Sequence, residues 1–291
     1  MARTEAGRPI GPPPRTVVAL ALAMASASCR GSNGPVRLDF QFVPGEQYTY
    51  RYTSRWSGRV ESPGQPPRTF TRNEESEIRR TVESFDPQTL VATLREITEA
   101  KAREWRIDAT RSHSWTREMV LRIRHDGRVV GIDGLEQKDG FYGQRYFEKL
   151  FEQGLPVFPA EPILPGYTWK QSKPAPLPAG GTGMAEATFT FEGMSFLGKR
   201  RCAVISEVNH LIIPFEEEGQ RGIDESQGKG RLYVDIEQGI PVREEIEREV
   251  QPKRWFLIRG KQILAPGRTV YHSVEKLDLI SAKTHRPSGG T

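Results

Sequence analysis

Cysteine is nearly missing from this chain of 291 residues: there are two, Cys29 and Cys202. A disulfide framework is therefore excluded, and stability must come from a packed core. Long apolar runs are as scarce. Apart from TVVALALAMASA near the N-terminus, no stretch approaches the roughly 20 apolar residues that carry a helix across a bilayer. Charge of one sign is thin as well. The formal net charge is +5, of which Arg3, Arg8 and Arg15 against Glu5 supply +2, leaving +3 from residue 29 onward. Basic residues interleaved with glutamate in this way do not make a nucleic-acid surface.

The motifs of familiar chemistry are missing too. The five histidines, His113, His125, His210, His272 and His285, show no pair at metal-ligand spacing and no HExxH. Gly193-Met194-Ser195 lacks the closing glycine of a nucleophile elbow. Gly228-Lys229-Gly230 reads as lying before a strand and is no phosphate-binding loop. Carboxylates are plentiful but alternate with basic residues, as they do on paired surface strands. Glu216-Glu217-Glu218 with Asp224 and Glu225 lacks the alternation and turn glycine of a calcium loop, and PFEEEGQRGIDESQGKG reads as a solvated acidic loop. The expectation is a protein without catalytic machinery, cofactor or metal.

What is present begins with an address. Residues 1–29 carry a basic, proline-rich leader and then the apolar run, the pattern of an export signal. That run closes on Ser26-Ala27-Ser28-Cys29, which resembles the lipobox of bacterial lipoproteins, where small residues precede a cysteine that is diacylated and becomes the mature N-terminus. Serine stands at 26 where leucine is usual, and ordinary cleavage after Ala25 or Ala27 is the alternative. The resemblance implies a membrane partner through a lipid on Cys29, a tether over 30–36, and a periplasmic, membrane-anchored location. Cys202, in the strand-like KRRCAVISEV, reads as a small buried apolar group.

Beyond the tether the pattern has period two. Leu38, Phe40 and Phe42 share one strand face, and Tyr48, Tyr50 and Tyr52 share the next after the turn Pro44-Gly45. The one convincing helix runs from an N-cap at Asp139 to Gln153, with Tyr142, Tyr146, Phe147, Leu150 and Phe151 on one face. Gly154 stops it, and Pro156, Pro159, Pro162 and Pro165 make an extended connector. On either side of this helix the chain repeats itself. Val43-Pro44-Gly45 before YTY matches Leu164-Pro165-Gly166 before YTW, SFDPQTLVATLREI matches SFLGKRRCAVISEV, and Gly127 matches Gly239. Aligning Met119, Leu121 and Ile123 with Leu232, Val234 and Ile236 requires one extra residue in one hairpin. SGRVESPGQPPRTF and KPAPLPAGGTG read as matching Pro/Gly loops.

The fold expected is mainly β: two related curved antiparallel sheets, half-barrel-like, over 37–137 and 164–282, with a central helix and connector over 138–163 and a frayed tail over 283–291. Tyr48, Tyr50, Tyr52, Trp56, Trp105, Trp115, Trp169 and Trp255 fall on strands. Core packing is the first reading of these rings. The alternative is that Tyr48, Tyr50, Tyr52, Trp56 and Trp169 line a concave face that holds an acyl chain or glycan. Export signal, candidate lipid anchor, meandering sheet and plugging helix together resemble the half-barrel carriers of bacterial lipoprotein localisation, and more nearly the uncharacterised bacterial lipoproteins of tandem-sheet build. The reading is an exported, lipid-anchored, non-catalytic envelope protein acting as a binding or scaffold module, with an envelope protein or an apolar ligand as partner. The alternatives are a carrier of a lipid or acyl chain and, third, a secreted enzyme with no recognisable motif. Metabolic labelling with a palmitate analogue is expected to mark the wild type and not Cys29→Ala; label that survives the substitution would remove the anchor.

Overall fold

The computed structural model describes residues 34–61, 66–106, 110–134, 144–177, 181–217, 220–258, 261–264 and 268–283. The export signal, Cys29 and all but the first residue of the expected tail lie outside the described residues. Five strands form a first meander: β1 (Gln47–Glu61), β2 (Arg68–Asp86), β3 (Val91–Arg106), β4 (Thr110–Arg124) and β5 (Val129–Asp133). The helix α1 (Gln144–Gly154) follows, and then a second meander of β6 (Thr168–Pro176), β7 (Thr182–Leu197), β8 (Arg200–Glu217), β9 (Gln220–Asp235) and β10 (Ile240–Ile258). Two further strands, β11 (Lys261–Leu264) and β12 (Arg268–Lys283), end the described chain.

The mainly β, antiparallel build is as expected, but the two halves are not separate sheets. The strand order is β5-β4-β3-β2-β1-β12-β10-β9-β8-β7-β6, with β11 on β10, so the last long strand joins the meanders edge to edge. The equivalence of the halves is carried by pairing. Gly45 N–H donates to the Val82 carbonyl at 2.8 Å and Gly166 N–H to the Phe191 carbonyl at 2.7 Å. A register shift follows both Val82 and Phe191. The row Val82, Leu94, Leu121 in one half then corresponds to Phe191, Ile205, Leu232 in the other. Leu121 thus matches Leu232, not Val234; the sequence alignment of these strands was displaced because alternating apolar residues match equally well two positions along.

Several loops are strand instead. Ser57–Glu61 and Arg68–Phe70 belong to β1 and β2, whose ladder runs out to Val60↔Arg68. Pro174 and Pro176 lie in β6, an edge strand, where a missing N–H breaks no ladder. The acidic stretch from Pro214 to Glu225 belongs to the β8–β9 hairpin, in which Asp224 is buried; Glu218 and Gly219 lie outside the described residues. Gly228-Lys229-Gly230 sits inside β9, not before it. Conversely, Val36–Phe42 alternates as expected but forms only the bridge Val36↔Ile163.

The sheet curls, as contacts of α1 require. The helix touches β5 at one end of the strand order and β7 and β8 near the other. Between β5 and β8 lie eight inter-strand steps, on the order of 38 Å at about 4.8 Å each, against about 10 Å for the width of a helix. The concave inner face is then filled by the chain's own connectors. Leu38, Phe40, Phe158 and Ile163 pack on Phe189, Phe191, Ile205 and Leu232 of the second half. Phe42, Phe151 and Leu155 pack on the first half, against Tyr48, Tyr50, Leu94 and Leu121. Asp139 and Tyr142, and the side chains of Tyr146 and Phe147, lie outside the described residues.

The segment from Leu38 to Phe42 also ties the two halves by hydrogen bonds. Phe40 N–H donates to the His125 carbonyl at 2.8 Å and Gln41 N–H to the Gly239 carbonyl at 3.4 Å, so one strap reaches both repeat hairpins. Both hairpin glycines have positive φ, and a Cβ on Gly127 would meet the Pro156 carbonyl at 2.3 Å, one on Gly239 the Asp39 carbonyl at 2.4 Å. Phe40 is buried and stacks on Phe158 at 4.9 Å. Phe40→Ala is expected to cost about 3–5 kcal/mol in a urea titration; a cost under about 1 kcal/mol would mean that the strap is not core.

Candidate functional site

Alternation along each strand decides which side chains meet on the inner face, and above the apolar layer that face turns polar. In β10 the inward set is Val242, Glu244, Ile246, Arg248 and Val250, so two charged residues enter with three aliphatic ones. In β8 Ile205 is followed inward by Glu207, Asn209 and Leu211. In β3 Leu94 is followed by Glu96 and Thr98, and in β2 Arg80 stands beside Val82.

These residues form a polar stripe across the sheet. Arg80 Nε donates to Glu96 at 2.6 Å, and its guanidinium lies 5.3 Å from the centre of the Tyr50 ring. Further along, Ser273 Oγ donates to Glu275 at 2.9 Å, and Arg248 Nε stands 3.7 Å from the same carboxylate. Arg248 then reaches across β9 to Asn209 Oδ1 at 3.4 Å, and the Asn209 amide donates to Glu207. Gly228 makes that crossing possible, since a Cβ there would stand 2.8 Å from Asn209 Oδ1 and 3.2 Å from Arg248 Cγ. Glu96 and Glu207 are 2% and 4% exposed, so these carboxylates are not the surface pairs that the alternation with basic residues led one to expect.

Burial acts on two carboxyls of the stripe, Glu207 and Glu244. It pushes the Glu207 carboxyl up to about 7, helped by the nearby Glu244 and opposed by Arg248 and Asn209. Glu244 is raised as well, by burial first, with Arg248 pulling the other way and Glu275 adding to the rise. Among the described residues Glu244 has no ion pair or hydrogen-bond partner. It occupies the place that Ile132 holds in the first repeat, since Leu121 pairs with Ile132 and Leu232 with Glu244.

Of the aromatics singled out in the sequence, Tyr48, Tyr50, Tyr52 and Trp56 do share one face of β1. Tyr48 and Tyr50 are buried in the first-half core. The Tyr48 hydroxyl donates to Glu46, and burial raises its pKa far above the tyrosine range; burial pushes Tyr50 up to about 12. Tyr52 is raised by burial and then by Glu275 and Glu74. Trp56 Nε1 donates to Ser54 Oγ at 3.0 Å, and its ring meets Tyr271 edge-on at 6.4 Å. Trp169 is not brought to them: it stacks on Phe189 at 5.4 Å in the core of the second half, its buried indole N–H without a hydrogen-bond partner among the described residues. The side chains of Trp105 and Trp255 lie outside the described residues. Cys202 is buried, its thiol raised by desolvation, as a small core group would be.

The outer face carries a shallow groove of about 630 Å³ over β7, β8, β9, β10 and β12, floored by Val208 and Val274, 63% and 58% exposed, with Lys229 and Glu247 between them. His210 is held by Glu225 at 3.0 Å, and Glu225 also accepts from Lys253, which holds its carboxyl below the usual range. Among the described residues no group of three or more His, Cys, Asp or Glu is placed to hold a metal ion.

No family model matches the chain, and no curated protein does. Among solved structures it is similar to lipovitellin, at 12% identity over 86% of this chain and 27% of that one, with a TM-score of 0.44. It is also similar to a Bacteroides fragilis protein with a YmcC-like fold, at 11% identity over 85% and 99% of the two chains and a TM-score of 0.29. A third is OccK7 of Pseudomonas aeruginosa, at 8% identity over 82% and 99% and a TM-score of 0.26. At these scores the likenesses assign neither a family nor an activity.

The crossing at Gly228 gives a direct test of the stripe. Gly228→Ala is expected to cost about 1–3 kcal/mol by overpacking Asn209 and Arg248. Gly154→Ala, with nothing within 4 Å of the added carbon, is the control and should cost nothing measurable. Equal stability of the two variants would mean that Arg248 does not reach over β9.

Proposed function

We propose that this protein is an exported, lipid-anchored and non-catalytic module of the bacterial envelope, which works through its surface as a binding or scaffold element. The observation that carries this reading is the occupied inner face. The carrier alternative needs a hollow beside Tyr48, Tyr50, Tyr52 and Trp56. Tyr48 and Tyr50 instead pack in a core closed by Phe42, Phe151 and Leu155, and the second half is closed in the same way by Phe40, Phe158 and Ile163. Above that layer comes a charged stripe, a poor lining for an acyl chain because a buried ion pair gains nothing from contact with hydrocarbon. The outward-facing strands, with Val208 and Val274 among charged neighbours, are what such a module presents to a partner.

Nucleophile, base and oxyanion donors do not converge in the described residues. Arg80 pairs with Glu96 and Arg248 with Glu275 instead of pointing at an open cleft, which supports a non-catalytic role. Titration of the soluble domain with a fluorescent fatty acid, and native mass spectrometry of protein purified without detergent, test the reading. Neither saturable binding at one site nor a co-purifying lipid is expected. A lipid bound one to one at micromolar concentration would overturn it in favour of the carrier.

A further inference from the structure

The two meanders are joined through β12, and its ladder to β10 is the shorter of the two that it makes. It runs only from Arg243↔Asp278 to Val250↔Tyr271, whereas β12 pairs with β1 from Gln47↔Lys283 to Glu61↔Arg268. The polar stripe crosses the sheet at this narrow junction. On the inner side Arg248 of β10 faces Glu275 of β12, while Glu207 and Asn209 approach from β8 over Gly228 and Gly230 of β9, which offer no side chain. Glu244 stands in the same space. With all three carboxyls ionised, Glu207, Glu244 and Glu275 gather about the Arg248 guanidinium; the further cation that acts on Glu244, Arg80 of β2, is itself held by Glu96 of β3 and lies over the Tyr50 ring of β1. Tyr52 of β1 and Glu74 of β2 add no positive charge, and Arg72 of β2 is taken up by Glu74 at 2.5 Å. On the outer side the junction is stitched by Arg243–Asp278 at 2.6 Å and Lys276–Glu245 at 3.4 Å, and His272 lies 3.9 Å from Glu249.

We propose that this cluster makes the β10–β12 junction proton-dependent, closed when Glu207 and Glu244 carry protons and loosened when both are ionised. The sign follows from linkage. A carboxyl whose pKa is raised in the closed form favours closure fully below its solvated pKa, and that advantage is lost as pH rises through the raised value. Taking Glu207 alone, from 4.5 when solvated to about 7 when closed, the closing equilibrium should weaken roughly thirtyfold between pH 5.5 and pH 8. The inference does not depend on what the module binds.

Hydrogen exchange of the amides over 243–250 and 271–278, corrected for the chemical exchange rate at each pH, reads the junction directly. In the wild type their protection should fall by roughly thirtyfold from pH 5.5 to 8, while the β3–β4 amides keep theirs. Glu207→Gln should shrink the fall to the part that Glu244 contributes, and His272→Gln should leave the wild-type dependence unchanged. If Glu207→Gln does not fold, Glu244→Gln serves, and should move the midpoint to lower pH by removing a repelling charge. Protection that is independent of pH in the wild type would overturn the proposal. So would an undiminished dependence in Glu207→Gln, an unmoved midpoint in Glu244→Gln, or an equal loss in the β3–β4 amides.

Discussion

A wide antiparallel sheet with one apolar face has to bury that face, and the described residues hold no second layer to bury it against. Everything else follows from the solution it uses. The sheet curls, and the strap from Leu38 to Phe42, the connector through Phe158 and Ile163, and the end of α1 fill the concavity. The strap reaches both repeat hairpins by backbone hydrogen bonds, at His125 and at Gly239, so the connectors are the core and not its covering. Positive-φ glycines at Gly127 and Gly239 are what let backbone approach backbone there.

The polar stripe is the exception to that economy. Buried ion pairs rarely stabilise a fold more than well-packed hydrocarbon would, and a carboxylate such as Glu244 in the place of Ile132 is a cost. What such groups add is specificity of pairing. Arg248 engages a carboxylate on β12 and an amide on β8, which only one register of β8, β9, β10 and β12 allows. The two halves are therefore alike in their turns and apolar rows yet different in the residues that face each other at the junction.

Much of the fold was legible in the sequence because its signals are local. Period-two alternation, the paired Pro-Gly turns at Gly45 and Gly166, the hairpin glycines, and the helix stop at Gly154 each depend on a few neighbouring residues. The expected helix is described as α1 from Gln144 to Gly154, its expected N-cap at Asp139 lying outside the described residues. What was not legible is set by partners far along the chain. Nothing in RTVYHSVEKLDLI says that β12 inserts between β1 and β10. Glu207, Glu244 and Arg248 look like surface residues until strands two places away bury them. Glycine and proline misled in the other direction: Pro174 and the glycines of β9 read as loop, yet an edge position and a crowded inner face accommodate them within strands.

If the connectors are the shared core of both halves, the halves cannot melt separately. Differential scanning calorimetry of the domain that follows the tether measures this directly. The account predicts a single transition whose calorimetric and van't Hoff enthalpies agree, as for one cooperative unit. Two resolved transitions, or a van't Hoff enthalpy well below the calorimetric one, would contradict it and make the curled sheet two independent halves that only share an edge.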